Sequence, residues 1–172
     1  RSYVRLLARI GCQSGVMPLF GNIPLKNVKD EWLNTFTDHL KLLIFGSIHP
    51  EWSPSPFLDR LIAFADSINR KVMIISAGSQ GRGANVWQSM ADQYQKQVAF
   101  HALGRMDAER VSALMNTADY GIATSPLSLI GKSGTAAAML EHGMPVIVTR
   151  DEPCFSVGRV EPAEGYGRFI RL

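Results

Sequence analysis

The stretch IGKSGTAAAMLEHGMPV, residues 130–146, gathers residue types that handle phosphate: Gly131, Lys132, Ser133, Gly134 and Thr135 in one run. Gly131-Lys132-Ser133 matches the tail of a Walker A loop. That loop needs a glycine five positions before the Gly-Lys pair, to open a cradle of backbone N–H groups. Pro126 stands there. Proline has no N–H and a fixed φ, so a nucleoside-triphosphate P-loop is excluded. A narrower arrangement survives, a Gly/Ser/Thr loop opening an Ala-rich helix. Such a helix start offers free N–H groups and a positive dipole end to an anion. Lys132 beside it can neutralise a diphosphate. The same residues can serve structure alone, with Ser133 or Thr135 as cap and Gly131 and Gly134 making the turn.

Other candidates are scattered. His49, in SIHPEWSPSP, can donate to a phosphate or be a surface histidine. Arg105 can pair with phosphate or stack on a base, or form a salt bridge with Asp107 or Glu109. The run GSQGRG (78–83) is a glycine cluster too loose to define a site. Trp87, Met90 and Tyr94 have helical spacing and read as core. His101 follows apolar residues and reads as a satisfied buried histidine, while Glu141 and His142 can pack or face solvent.

These residues need a scaffold. The chain has 172 residues, 46% of them hydrophobic and 19% charged, as expected of one globular domain. The net charge of +3 is spread without a basic block, which argues against nucleic acid as a partner. Cys12 and Cys154 form no CxxC pair, so structural zinc is not expected and a reducing cytoplasm is. No apolar run reaches the roughly 18 residues of a transmembrane segment. The chain starts at Arg1 without a signal-peptide layout and reads as a piece of a longer protein.

Apolar runs alternate with helical periods. Strands are expected at 40–49, 71–78, 97–104, 120–125 and 145–150, with a short sixth at 168–172. Helices are expected at 55–69, 83–95, 107–118 and 134–143. This alternation predicts an α/β fold, a Rossmann-like parallel sheet with helices on both faces. Ligands of such sheets bind beyond the carboxyl ends of the strands. Residues 1–39 read as a helix at the N-terminus followed by an extended interdomain linker, and 40–172 as the Rossmann-like domain.

The order of motifs resembles the C-terminal, donor-binding half of a GT-B glycosyltransferase of the group 1, family 4-like kind, over roughly residues 14–150. GVMPLFGNIP resembles the linker out of the first domain, and LLIFGSIHPEW the opening strand with its glycine loop. VAFHALGRMDAERVSALMNTADYGIATSP resembles the middle block. GKSGTAAAMLEHGMPVIV resembles the final block, where S-G-T opens a helix that ends in H-G-x-P. The resemblance implies a nucleotide-diphosphate sugar donor, UDP- or GDP-linked, bound in a cleft against an N-terminal acceptor domain missing from this chain. It implies hexosyl transfer to an unknown acceptor, with no metal and no cofactor. Ser133, Gly134 and Thr135 match the diphosphate position, Gly46 and Ser47 the first glycine loop. Leu103, Gly104 and Arg105 match the loop near the nucleobase. Catalytic residues are not identified.

The sequence departs from that family in two places. Many members carry a Glu-x7-Glu pair in the final block; the positions here hold Ile130 and Ala138, with Glu141 one helical turn on. The usual Arg and Lys of the first loop are absent, and His49 is the cation candidate left there. Two other readings therefore stay open. One is an epimerase of UDP-N-acetylhexosamines, which shares the two-domain fold. The other is a degenerate, non-catalytic module for nucleotide or partner binding.

Overall fold

A computed structural model of the chain describes residues 7–13, 19–150 and the strand at 169–171. Cys154, part of the expected N-terminal helix and residues 14–18 of the linker lie outside the described residues.

Six strands form one sheet: β1 (His39–Phe45), β2 (Lys71–Ala77), β3 (Val98–Gly104), β4 (Tyr120–Ala123), β5 (Val146–Val148) and β6 (Phe169–Arg171). Their order is β3-β2-β1-β4-β5-β6 and every neighbouring pair is parallel. This is the Rossmann-like arrangement expected from the alternating pattern. The strands run two to four residues shorter than the apolar runs at their carboxyl ends for β1, β4 and β5. In each case the residues that follow belong to the crest loops described below.

The helices divide between two faces because each strand is apolar at both parities. Leu40, Leu42, Ile44, Val72 and Ile74 face one side. There they meet Phe57, Leu58, Leu61 and Ala65 of α2 (Ser55–Ser67) and Trp87, Met90 and Tyr94 of α3 (Ala84–Tyr94). The Tyr94 hydroxyl donates to Asp59 at 2.9 Å, tying those two helices together. Leu43, Met73, Ile75 and Val146 face the other side, against α4 (Ala108–Met115) and α5 (Gly134–Glu141). Asp107 caps α4, accepting from the Arg110 N–H at 2.8 Å, as its position predicts.

The segment before β1 is packed onto this second face. Ile23 is buried beside α5, and Leu33 is fully buried in α1 (Glu31–Asn34), a short helix not anticipated from the sequence. Asp30 caps α1 through the Leu33 N–H at 2.8 Å, and its own N–H donates to Thr117 at 2.8 Å. Lys26 N–H donates to the Ser112 hydroxyl at 3.0 Å, which also contacts His142 Nε2 at 2.8 Å. His142 Nδ1 lies 2.7 Å from the Ala138 carbonyl, which can only accept, so Nδ1 carries the proton and Nε2 accepts from Ser112. His142 is thus a half-buried strut between α4 and α5.

His101 differs from expectation. It makes no hydrogen bond to a described residue; its half-buried ring meets the edge of Trp32, centroids 5.1 Å apart at 79°. Burial, and to a lesser degree the nearby His39, hold its pKa below the ordinary imidazole value. The unfolded chain therefore takes up a proton before the folded one does. Stability is full above the ordinary imidazole pKa and is lost as pH falls through the lowered folded value. His101→Phe keeps the ring packing and removes this proton uptake. Its urea-unfolding free energy is expected to decline less than that of the wild type between pH 7 and 5, a comparison that equal declines would refute.

Candidate functional site

The carboxyl ends of the parallel strands form a crest, and three of its residues are glycines with left-handed backbone. Gly46 after β1 has φ +87°, Gly78 after β2 has φ +108°, and Gly104 ending β3 has φ +69°. They are linked across the sheet. The Gly78 N–H donates to the Gly104 carbonyl at 2.7 Å, and the Gly46 N–H to the Ala77 carbonyl at 2.8 Å. A Cβ on Gly78 would lie 3.1 Å from the Gly46 Cα. A Cβ on Gly46 would lie 2.7 Å from Thr135 Cγ2. The first glycine loop therefore lies directly against the start of α5, 89 positions on in sequence. This is the point between β1 and β4 where the strand order reverses.

At that point α5 begins cleanly. Ser133 is its N-cap, with extended backbone at φ −89° and ψ 103°, and its hydroxyl accepts from the Ala136 N–H at 3.2 Å. The Ser133 and Thr135 hydroxyls are 3.0 Å apart. The Ser133 N–H is already used by the Ile130 carbonyl, at 3.0 Å. The N–H groups of Gly134 and Thr135 have no acceptor among the described residues, so these two are the open donors of the helix start. Gly134 has open space where a side chain would go.

The loop after β1 then crosses the ends of β4 and β5. The His49 N–H donates to the buried Thr124 hydroxyl at 3.0 Å, and Trp52 Nε1 donates to Thr149 at 2.8 Å. Arg150, just past β5, brings Nη1 to 2.7 Å from His49 Nδ1 and Nη2 to 3.8 Å from Glu51.

The predicted residues thus separate into two groups. Gly46, Ser47, His49, Ser133, Gly134 and Thr135 belong to the crest around the switch point. Gly104 joins that crest through Gly78, and Arg105, exposed just beyond it, makes no ion pair with a described residue. Lys132 is exposed at the end of the 3-10 turn Leu127–Lys132, one residue before the cap. Arg150 was missed by sequence reasoning, because nothing local marks an arginine after a strand as the partner of a histidine 101 positions earlier. A shallow cleft of about 450 Å³ lies elsewhere, beside α4. Its walls include Asp30, Trp32, Asp107 and Arg110, and none of the predicted residues lines it.

Residue 138 has a physical reason to be alanine. It is fully buried, and a Cβ on Gly21 would come within 2.5 Å of its Cα. The incoming segment fills the space that a longer side chain at 138 would need. Glu141, one turn on, accepts the Gly21 N–H at 3.0 Å and so holds that segment in place.

No family model matches the chain, and no curated protein matches it. Among solved structures it is similar to the catalytic domain of starch synthase IV from Arabidopsis thaliana, bound to ADP and acarbose. That likeness has a TM-score of 0.36 at 8% identity and covers 74% of this chain but 24% of the other. Among the described residues no helix is long and apolar enough to cross a membrane.

The contact between Gly46 and Thr135 is directly testable. Gly46→Ala is expected to cost about 1–2 kcal/mol for its left-handed backbone, plus about 1–3 kcal/mol for the overlap with Thr135. Thr135→Ser removes the methyl that is struck. In a double-mutant cycle by urea denaturation, the pair should couple favourably by about 1 kcal/mol. Strict additivity would mean that the two residues do not touch.

Proposed function

We propose that this chain is the nucleotide-sugar-binding half of a GT-B-like glycosyltransferase, which binds a UDP- or GDP-linked hexose. On this reading, transfer to the acceptor needs a further, N-terminal domain. The observation that carries the reading is the meeting of Gly46 with the start of α5 at the switch point, where two N–H donors stand open. The order of sequence motifs supports it independently. A diphosphate seated there would face helix-start donors and a glycine backbone that allows close approach. In sugar transfer the departing nucleoside diphosphate gains negative charge, and donors already aligned stabilise that charge without reorganising. Lys132 and Arg105 would add positive charge near the phosphates and the base. The reading requires neither a metal nor a cofactor.

A second reading is a degenerate module that binds a nucleotide or partner without catalysis. It is favoured by Ala138 and Ile130, both buried, at the positions where many family members carry a Glu pair. The Glu141 carboxylate is engaged by Gly21 and does not replace them.

Thermal-shift titrations with UDP, GDP, ADP and their sugar conjugates separate the cases. One diphosphate at a hundredfold excess over its dissociation constant is expected to raise the wild-type midpoint by about 5–10 °C. Gly134→Pro removes an open N–H at a helix position where proline is tolerated, after a residue whose extended backbone suits it. It should keep the ligand-free midpoint and lose most of the shift. No shift with any nucleotide would leave residues 131–135 as a turn and cap and would favour the module. Sugar transfer by the 172-residue chain alone would overturn the need for a further domain.

A further inference from the structure

The loop after β1 lacks the lysine and arginine expected for phosphate, and the structure supplies a different arrangement there. His49 Nδ1 receives two donors, Arg150 Nη1 at 2.7 Å and the Glu51 N–H at 3.3 Å. Guanidinium and amide nitrogens can only donate, so Nδ1 is an acceptor and carries no proton. The ring's proton is therefore on Nε2. That nitrogen has no hydrogen-bond partner among the described residues. No described side-chain nitrogen or oxygen is both buried and unpartnered, so Nε2 is open to solvent. The histidine is held from behind at three points: its own N–H on Thr124, and the two donors on Nδ1. The Arg150 side chain that holds it is only 11% exposed, whereas Glu51, its carboxylate neighbour at 3.8 Å, is 77% exposed.

We infer that His49 is a ligand-binding residue that donates Nε2–H to a phosphate oxygen, and that Arg150 is a positioning residue that fixes this tautomer. This rests on the diphosphate reading above and deepens it, because it names the donor that stands where the loop has no basic side chain. The imidazole acts as a directed N–H donor and not as a mobile cation. Arg150 places its positive charge behind the ring, where it strengthens that donor and balances an anion in front. His49 and the open N–H groups of Gly134 and Thr135 belong to loops already joined through Gly46 and Thr135. On this inference one diphosphate is met from the β1 side and the α5 side together.

The test has two arms. Long-range proton–nitrogen NMR spectra of histidine-labelled protein, with His49→Phe to assign the signal, report the tautomer without any ligand. Wild type is expected to show an acceptor-type Nδ1 and a protonated Nε2, and Arg150→Met to show a mixture of tautomers. A protonated Nδ1 in the wild type would overturn the inference, whatever the variants do. The second arm titrates inorganic pyrophosphate, UDP and GDP by calorimetry. A hydrogen bond to a charged group implies that His49→Phe weakens the bound diphosphate about tenfold or more. Arg150→Met should weaken it by less. Wild-type affinity in His49→Phe would sink this inference while leaving the diphosphate reading intact. Binding of no diphosphate by the wild type would overturn the reading and the inference together.

Discussion

The approach of Gly46 to Thr135 governs the geometry of the whole crest. In a parallel sheet all strand ends point one way, and the loops leaving them compete for the same space. Between β1 and β4 the chain turns away in opposite directions, which leaves a gap. Gly46 keeps that gap open at backbone level, since any side chain there would meet the methyl of Thr135. Its left-handed φ also turns the loop toward β4 and β5, where Thr124, Thr149 and Arg150 receive it. The position of His49 and the alignment with Gly78 and Gly104 follow from this one placement.

The two ends of α5 have different tasks, and a single segment accounts for the contrast. At its start the helix leaves two N–H groups without acceptors among the described residues. At its far end Glu141 and His142 are occupied with the chain that precedes the sheet, through Gly21 and through Ser112 and Lys26. Gly21 covers Ala138, so that docking and a long acidic side chain at 138 compete for one volume. The missing carboxylate and the docked segment are thus one structural choice.

Much of this was legible in the sequence for a specific reason. Two-sided burial writes apolar residues at most positions of β1 and β2, on both parities, and helix spacing writes Trp87, Met90 and Tyr94 as a buried stripe. Those patterns are local. The cap at Ser133 and the glycines closing β1, β2 and β3 were legible for the same reason, since turn chemistry depends on neighbours in sequence. What escaped was long-range. α1 is only four residues long and is stabilised by a cap and by burial of Leu33, which no periodicity reveals. The role of His142 depends on Ser112 and Lys26, and that of Arg150 on His49. The spacing of the Ser133 N–H was also hidden: its bond to Ile130 arises from the 3-10 turn. The open donors are consequently Gly134 and Thr135, one step later than residue types alone indicate.

The balance of charge at the crest bears on what such a site would select. Its donors are a helix start, backbone amides and one guanidinium paired behind a histidine, with Arg105 and Lys132 more exposed. Dipoles and N–H donors of this kind act over short distances and demand a ligand that fits between them, whereas free lysines act over longer range and tolerate many anions. The carboxylates that would grip hydroxyl groups are absent at 130 and 138, and Glu141 is engaged. On the diphosphate reading, this half therefore recognises the phosphates through geometry and contributes little to the choice of ribose or sugar. That choice would fall to groups outside the crest described here.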